Sequence, residues 1–291
     1  AVIGIIYLGL TAIWAGALWL AGMSGFDAIA HAMTTIATGG FSTHDASIGH
    51  YNSAAIDTII TLGMIMGSLP FLLYLLAIQG NPGRLFRDSQ VQWFLTTLIV
   101  VIALVGGWLW LGQNIDPVQS LRLASFNVVS IMTGTGYATA GFDNWGSFVL
   151  PIFFFIMFVG GCAGSTTCGI KIFRFQVIYA AARTQFQSLA QPHGVFIPYY
   201  NRNPIPDEVT NSVMNFFFVF GATFAVLAML LAMLGLDFLT SVSAAASAIA
   251  NVGPGLGPVV GPEGSYTSLP VAAKWILSVG MLLGRLELFT V

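Results

Sequence analysis

Six runs of mostly apolar residues, each at least as long as a membrane-crossing helix, limit what this chain can fold into. They cover residues 2–22, 54–79, 91–112, 147–182, 210–234 and 269–290. A helix needs about 20 apolar residues to cross the hydrocarbon core of a bilayer. Only 7% of the residues are charged, against roughly 25% in a soluble domain, so most of the surface must face lipid. The sequence therefore predicts an all-α integral membrane protein.

Three shorter apolar segments lie between the paired runs, and each is followed at once by a glycine-rich stretch. These segments are 27–37, 118–133 and 238–250. Segments of about 11 to 16 residues reach only half-way across a bilayer, which is typical of re-entrant helices that enter and turn back. Aligning Gly39, Gly136 and Gly253 superposes the units at spacings of 97 and 117 residues. A helical bundle with ordinary glycine-rich loops is the alternative.

The repeat divides the chain into three pore units and one linker. Each unit contains a long helix, a half helix, a glycine-rich stretch and a second long helix. The predicted bounds are 1–80, 81–183 and 209–291 for the units and 184–208 for the linker. Internal repeats of this kind are a common organisation of transporters.

Basic residues concentrate in and near the stretches that join the units. Six of the nine are Arg84, Arg87, Lys171, Arg174, Arg183 and Arg202. Positively charged loops remain in the cytoplasm, so the glycine-rich stretches are expected to open to the outside. Seven acids then lie on the outer side: Asp27, Asp45, Asp57, Asp116, Asp143, Asp237 and Glu263. They either concentrate cations at the outer mouth or only solvate the outer loops.

Composition and spacing also argue against other classes of protein. The net charge of −2 leaves no basic face for nucleic acid. The histidines and the two cysteines, Cys162 and Cys168, show no metal-ligand spacing. An intramembrane enzyme would need a catalytic cluster in the spans. Ser165 and Lys171, six residues apart, would lie on opposite sides of a helix.

The glycine-rich stretches have the chemistry of a filter for a bare cation. Backbone at membrane depth is tolerated only where it is buried or lines a water-filled cavity, and carbonyl oxygens can replace the water shell of an ion. Glycine readily reaches the backbone angles that turn carbonyls inward. The candidate ion-binding residues are Thr38, Gly39, Gly40, Thr135, Gly136, Tyr137, Asn251, Val252 and Gly253. Asp27 and Asp237, where two half helices start, are expected to cap free N–H groups.

These motifs resemble the Trk-type potassium uptake membrane subunit of the Trk/Ktr/HKT superfamily. Residues 37–45 (Ala-Thr-Gly-Gly-Phe-Ser-Thr-His-Asp) resemble the second filter region of that family, 132–137 (Met-Thr-Gly-Thr-Gly-Tyr) the third and 251–255 (Asn-Val-Gly-Pro-Gly) the fourth. The resemblance also covers 203–208 and 160–166. It implies four re-entrant units around one pore, of which this chain would hold the second, third and fourth.

The resemblance implies a potassium channel or transporter subunit of a bacterial inner (plasma) membrane, with K⁺ bound by backbone carbonyls and no covalent cofactor. It also implies a homodimer in lipid that docks a cytoplasmic, TrkA-like nucleotide-binding ring, with any nucleotide held by that partner. The alternative is a secondary transporter that binds another small solute or cation between broken helices. Such sites usually carry polar side chains, whereas these stretches are mostly glycine and backbone, which favours a bare ion.

A cluster of small residues interrupts the fourth apolar run, which at about 36 residues is too long for a simple crossing. The cluster includes Gly160, Gly161, Gly164, Ser165, Thr166, Thr167 and Gly169. Such residues weaken a helix, so the run is either two helices joined by a pore-facing loop or a close helix contact of the Gly-xxx-Gly type. The resemblance favours a gating loop, although Thr167 and Cys168 stand where that family tends to have more glycine.

Arg285 is a charge inside the last apolar run, followed by Glu287. A charge within a span usually faces protein or water, and the resemblance implies that Arg285 faces the pore near the gating loop. Snorkelling to the cytoplasmic boundary is the alternative. Lys171 and Arg174 are expected to mark the cytoplasmic face, where they would be available to a regulatory partner.

Overall fold

The computed structural model describes residues 2–201 and 203–286. Along these residues the same order of elements occurs three times: a long apolar helix, a shorter helix, a glycine-rich segment and a further helical stretch. Arg202, Glu287 and the end of the sixth apolar run lie outside the described residues.

The first unit begins with a long helix, α1 (Val2–Leu20), and a half helix, α2 (Gly25–Ile36). Residues 38–41, the first glycine-rich segment, follow α2. Two helices then complete the unit, α3 (Ala54–Gly67) and α4 (Phe71–Ile78). α1 packs against all three of these helices.

The second apolar run is bent, although its composition predicts one continuous span. α3 and α4 meet at an angle of 95°, and residues 68–70 form the elbow between them. Pro70 has no N–H to donate to the carbonyl four residues earlier, and a proline disfavours helical angles at the residue before it. The elbow therefore has a local cause in the sequence.

The second unit contains a broken helix where the long fourth run lies. Its elements are α5 (Gly83–Arg87), α6 (Ser89–Gln113), α7 (Pro117–Met132), α8 (Val149–Ile156) and α9 (Ile172–Ala190). Residues 134–137 are the second glycine-rich segment. Between α8 and α9 the chain forms a loop of residues 157–171, so the run is two helices joined by a loop.

The third unit follows a linker with a two-residue antiparallel pair, β1 (Tyr199–Tyr200) and β2 (Asn203–Pro204). Its helices are α10 (Asp207–Met233), α11 (Phe238–Ala250) and α12 (Val271–Arg285). Residues 251–254 are the third glycine-rich segment, between α11 and α12.

Among the described residues, α1, α6 and α10 are long and apolar enough to cross a membrane, and α3 with α4 would be a fourth span if the bent pair is counted as one. Large apolar side chains on these helices are exposed, including Trp19 (63%), Leu111 (72%) and Phe218 (77%). A surface of this kind is suited to lipid.

Two of the half helices, α7 and α11, are largely buried. In α7 every residue from Phe126 to Met132 is buried, and in α11 nearly all residues from Thr240 to Ala250 are buried. α11 consists mainly of alanine and serine, and small residues let neighbouring helices approach closely. α10 and α12 both pack against α11 and also contact each other.

A buried ion pair joins the first unit to the second. Arg122 Nε on α7 lies 2.7 Å from Asp57 Oδ2 on α3, and only 4% of the Asp57 side chain is exposed. Asp57 was expected among the outer acids that face water, but its charge is neutralised inside the protein. The pair holds the half helix of one unit against the helix α3 of another.

We expect Arg122→Met to lower the stability by about 3 kcal/mol, because it leaves the Asp57 carboxylate buried without its partner. Thermal unfolding of the detergent-purified protein measures the change. Asp57→Leu/Arg122→Met should recover most of the loss, while Arg183→Met, at an exposed position, should unfold like the wild type. A double variant no more stable than Arg122→Met would contradict this role.

Candidate functional site

The three glycine-rich segments share one unusual backbone conformation. Each has two residues with positive φ, separated by one residue: Thr38 (50°) and Gly40 (66°), Gly134 (68°) and Gly136 (83°), Asn251 (54°) and Gly253 (108°). Glycine adopts such angles freely, and asparagine does so more often than most residues. Thr38 is the exception, since positive φ is strained for a β-branched residue.

This pattern corrects the alignment of the repeats by one residue. Gly40, and not Gly39, corresponds to Gly136 and Gly253, at spacings of 96 and 117 residues. The backbone hydrogen bonds agree with the corrected alignment: the N–H groups of Gly39, Thr135 and Val252 donate to carbonyls five residues earlier, at 2.7, 2.9 and 3.0 Å. Glycine content alone could not distinguish the adjacent Gly39 and Gly40.

A hydroxyl in each half helix supports the glycine-rich segment that follows it, and these hydroxyl residues are not among the site residues predicted from the sequence. Thr34 Oγ1 donates to the Phe41 carbonyl (2.9 Å) and Ser130 Oγ to the Tyr137 carbonyl (2.6 Å). Ser247 Oγ donates to the Gly253 carbonyl at 2.8 Å. The three hydroxyl residues have the same spacings of 96 and 117 residues, a signal that the corrected alignment would have shown.

The segments lie side by side in the order of the chain. A Cβ added to Gly40 would overlap the Thr135 carbonyl oxygen, and one added to Gly136 would overlap the Val252 carbonyl oxygen. The structure thus brings together the nine candidate ion-binding residues. Two of their carbonyls, those of Tyr137 and Gly253, already accept hydroxyl hydrogen bonds.

Tyrosine side chains connect these segments to the surrounding protein. Tyr137 is fully buried, and its hydroxyl lies 2.5 Å from Thr34 Oγ1 in the first unit. Tyr266 donates its hydroxyl to the Gly253 carbonyl at 2.8 Å. The side chain of Tyr137 therefore packs between units, while its backbone belongs to the segment.

An ionised carboxylate lies at the start of the first half helix. The hydroxyls of Thr43 and Ser24, at 2.6 and 2.7 Å, lower the pKa of Asp27 to about 2. The expected N-cap differs, because Ser24 is the residue that accepts from the Asp27 N–H. Asp237 does cap α11, and hydrogen bonds from Thr240 lower its pKa.

The 157–171 loop is a compact turn that depends on glycine. Ile170 exchanges backbone hydrogen bonds with Phe158 and Gly160, both 2.9 Å long. A Cβ on Gly160 would overlap the Cys168 carbonyl oxygen, and Gly164 and Gly169 have φ of 76° and 74°. Larger residues at these positions would disrupt the turn.

Polar side chains within the loop satisfy its own backbone. Thr167 Oγ1 accepts from the Gly161 N–H at 3.1 Å, and Ser165 Oγ donates to the Cys162 carbonyl at 2.6 Å. Ser165 and Thr167 also contact each other at 2.8 Å. These contacts satisfy polar groups of the loop and give it a defined shape.

Arg285 reaches this loop. Its Nη1 lies 2.6 Å from Cys168 Sγ and 3.4 Å from the Thr166 carbonyl oxygen. The structure therefore brings Arg285 together with the predicted gate residues. Cys168, one of the two departures from the family pattern, provides one of the contacts.

Arg174 differs from its expected place on an accessible cytoplasmic surface. It is only 3% exposed, and its guanidinium lies 3.8 Å from the centre of the Phe216 ring. This cation–π contact packs α9 against α10. Arg174 thus holds two helices together and is not available to a partner.

We expect Gly136→Ala to lower the melting temperature of the purified protein, since the new Cβ collides with the Val252 carbonyl and alanine is strained at positive φ; the cost is about 2 to 3 kcal/mol. Gly107→Ala is the matched control, because a Cβ there meets nothing within 4 Å and alanine favours the interior of a helix. Equal melting temperatures for the two variants would contradict the close packing of the segments.

Known proteins match the chain along its whole length. The family described as TrkH, cation transport protein, matches residues 1–291. The chain is 48% identical to the Trk system potassium uptake protein TrkI of Halomonas elongata, over 98% of this chain and 58% of that protein. It is 35% identical to the Trk system potassium uptake protein TrkH of Escherichia coli, over 98% of this chain and 59% of the relative.

A solved structure also matches nearly the whole chain. The crystal structure of the potassium transporter TrkH from Vibrio parahaemolyticus superposes with a TM-score of 0.92 at 34% identity, covering 99% of this chain and 62% of that one. The chain therefore spans about three fifths of the length of these relatives.

These matches confirm the resemblance to the Trk-type family and the predicted helical membrane fold. The two relatives named above are potassium uptake proteins. The apolar helices and the bacterial relatives identify a multi-pass protein of the inner membrane. The chain belongs to the TrkH family of cation transport proteins.

Proposed function

We propose that the full-length protein takes up K⁺ across the inner membrane through a pore whose filter is lined by backbone carbonyls of the three glycine-rich segments. The observation that carries the proposal is the repeated backbone, with positive φ at equivalent residues in three adjacent segments. We infer that this conformation lets carbonyls of the three segments face a shared cavity in the full-length protein, where carbonyl oxygens can replace the hydration shell of a cation. The relatives named as potassium uptake proteins support K⁺ as the ion.

A complete filter needs a further unit. We assign residues 1–80, 81–183 and 209–291 to the second, third and fourth pore units of the family, with 184–208 as a linker. Consistent with this assignment, the chain spans 58% of TrkI and 62% of the solved TrkH chain. The first unit of the full-length protein would complete the ring.

We assign the entrance and the gate from the charges near the pore. Asp27, ionised at physiological pH, would raise the cation concentration at the outer mouth. The 157–171 loop would obstruct the pore below the filter, and the positive charge of Arg285 would oppose cations while its contacts hold the loop.

The relatives are named as parts of a Trk system, which implies further subunits. We propose a homodimer of pore subunits that docks a cytoplasmic nucleotide-binding ring of the TrkA-like type. Any nucleotide would be bound by that ring and not by this chain.

The alternative is a secondary transporter for another small solute or cation. It would need side-chain groups that select the solute. The segments instead meet through backbone atoms, which favours a bare ion over an organic solute.

The proposal is tested by flux of ⁸⁶Rb⁺ and ²²Na⁺ into liposomes that carry the full-length protein, using rubidium as the tracer for potassium. We expect rubidium flux well above sodium flux. In Gly136→Asp this preference should be lost, because the added carboxylate and strained backbone disturb the filter. Gly107→Ala should behave like the wild type. Equal rubidium and sodium flux in the wild type would overturn the filter assignment.

Arg285→Ala should raise basal rubidium flux several-fold, because the positive charge that repels cations and contacts the loop is removed. A decrease of about 1.4 kcal/mol in the free-energy barrier to ion passage corresponds to a tenfold increase in flux. Arg285→Lys keeps the charge and should stay close to the wild type. Unchanged flux in Arg285→Ala would contradict the role in the pore and favour the alternative, in which the Arg285 side chain extends to the cytoplasmic boundary of the membrane.

A further inference from the structure

The elbow between α3 and α4 leaves backbone groups that the two helices cannot pair. A helix end exposes carbonyls, and a helix start exposes N–H groups. Pro70 has no N–H, so the Met66 carbonyl loses its helical partner, and the Tyr74 hydroxyl donates to it at 2.6 Å. The Tyr74 hydroxyl therefore replaces the N–H donor that the Met66 carbonyl lacks at Pro70.

The other freed groups of the elbow bond to the 157–171 loop. The Ser68 carbonyl accepts from the Cys162 N–H at 3.0 Å, and the Gly67 carbonyl accepts from the Thr166 N–H at 3.2 Å. In the opposite direction, the Phe71 N–H donates to the Gly164 carbonyl at 3.0 Å. Three backbone hydrogen bonds thus join two irregular segments at membrane depth, and each segment supplies what the other lacks.

The Thr166 side chain extends this contact towards the first glycine-rich segment. Its Oγ1 lies 2.9 Å from the Ile36 carbonyl oxygen and 3.0 Å from the Gly67 carbonyl oxygen. Thr38 Oγ1, in the first segment, donates to it at 3.2 Å. One hydroxyl therefore contacts the end of α2, the end of α3 and a strained residue of the candidate filter.

The contact leaves no space for larger residues. A Cβ added to Gly161 would lie 3.0 Å from the Ser68 carbonyl oxygen, and one added to Gly67 would lie 2.7 Å from the Ile36 carbonyl oxygen. Glycine at these two places lets the loop, the elbow and α2 approach within hydrogen-bonding distance.

We propose that the elbow is the seat that holds the 157–171 loop in the closed pore, and that Thr166 is the positioning residue that fixes the loop to both the elbow and the filter. This inference rests on the proposed function, in which the loop is the gate. If the loop leaves the seat, the groups at Gly67, Ser68 and Phe71 lose their partners, and an unpaired buried polar group destabilises the fold. Opening of the gate therefore requires rearrangement of the elbow or entry of water.

Substitution of Thr166 tests the seat in the full-length protein. Thr166→Val keeps the shape and removes the hydroxyl, whereas Thr166→Ser keeps the hydroxyl. Loss of the hydroxyl contacts should raise basal ⁸⁶Rb⁺ flux in liposomes by about five- to tenfold, while Thr166→Ser stays near the wild type. Thr97→Val is the matched control, since the Thr97 hydroxyl is exposed and donates to the Trp93 carbonyl of its own helix, α6. Wild-type flux in Thr166→Val would overturn the proposal.

A second measurement does not depend on transport. In a Cys162→Ser background, Cys168 is the remaining cysteine within residues 1–291, and its labelling by a water-soluble maleimide, read from the peptide that contains Cys168, reports whether the loop is seated. We expect several-fold faster labelling in Thr166→Val than in Thr166→Ser. Equal labelling rates in Thr166→Val and Thr166→Ser would contradict the proposal that the elbow holds the loop, even if the wild type carries rubidium in preference to sodium. If the wild type carries no rubidium but the labelling rates differ, the proposed function fails and the seat stands.

Discussion

An N–H or C=O group that lies outside a helix at membrane depth must find a partner within the protein or in a water-filled cavity, because hydrocarbon offers none. This constraint applies to the three glycine-rich segments, the 157–171 loop and the elbow. The segments are supported by hydroxyls of their own half helices, such as Ser130 and Ser247. The loop and the elbow are supported by each other. The irregular parts of the chain are therefore mutually dependent.

The same constraint explains why small residues are concentrated in these parts of the chain. Where Gly40 and Gly136 meet the neighbouring segment, a single Cβ would collide with a carbonyl oxygen. Thr38 has a side chain and keeps a positive φ of 50°, at a cost of about 1 to 2 kcal/mol. Its hydroxyl donates to the Ala37 carbonyl and to Thr166, so the strain occurs where the candidate filter contacts the candidate gate.

Much of the architecture followed from local patterns. The lengths of the apolar runs predicted the long helices and the half helices, and the glycines of 160–169 indicated a break between α8 and α9. Two further local signals are present in the sequence. Pro70 has the chemistry of a helix break, yet the apolar run around it continued without interruption. The spacing of Thr34, Ser130 and Ser247 was hidden by an alignment that chose Gly39 in place of Gly40.

A helical membrane protein with three glycine-rich segments can be predicted from the amino-acid sequence, because apolar length and glycine content act through the local backbone. The groups that meet across units are known only from the folded chain, since such pairs lie far apart in the sequence. Asp57 pairs with Arg122, Arg285 reaches Cys168, and Thr166 bonds to the carbonyls of Ile36 and Gly67. Periodicity and composition carry no information on these pairings, which arise when buried polar groups find partners in the folded chain.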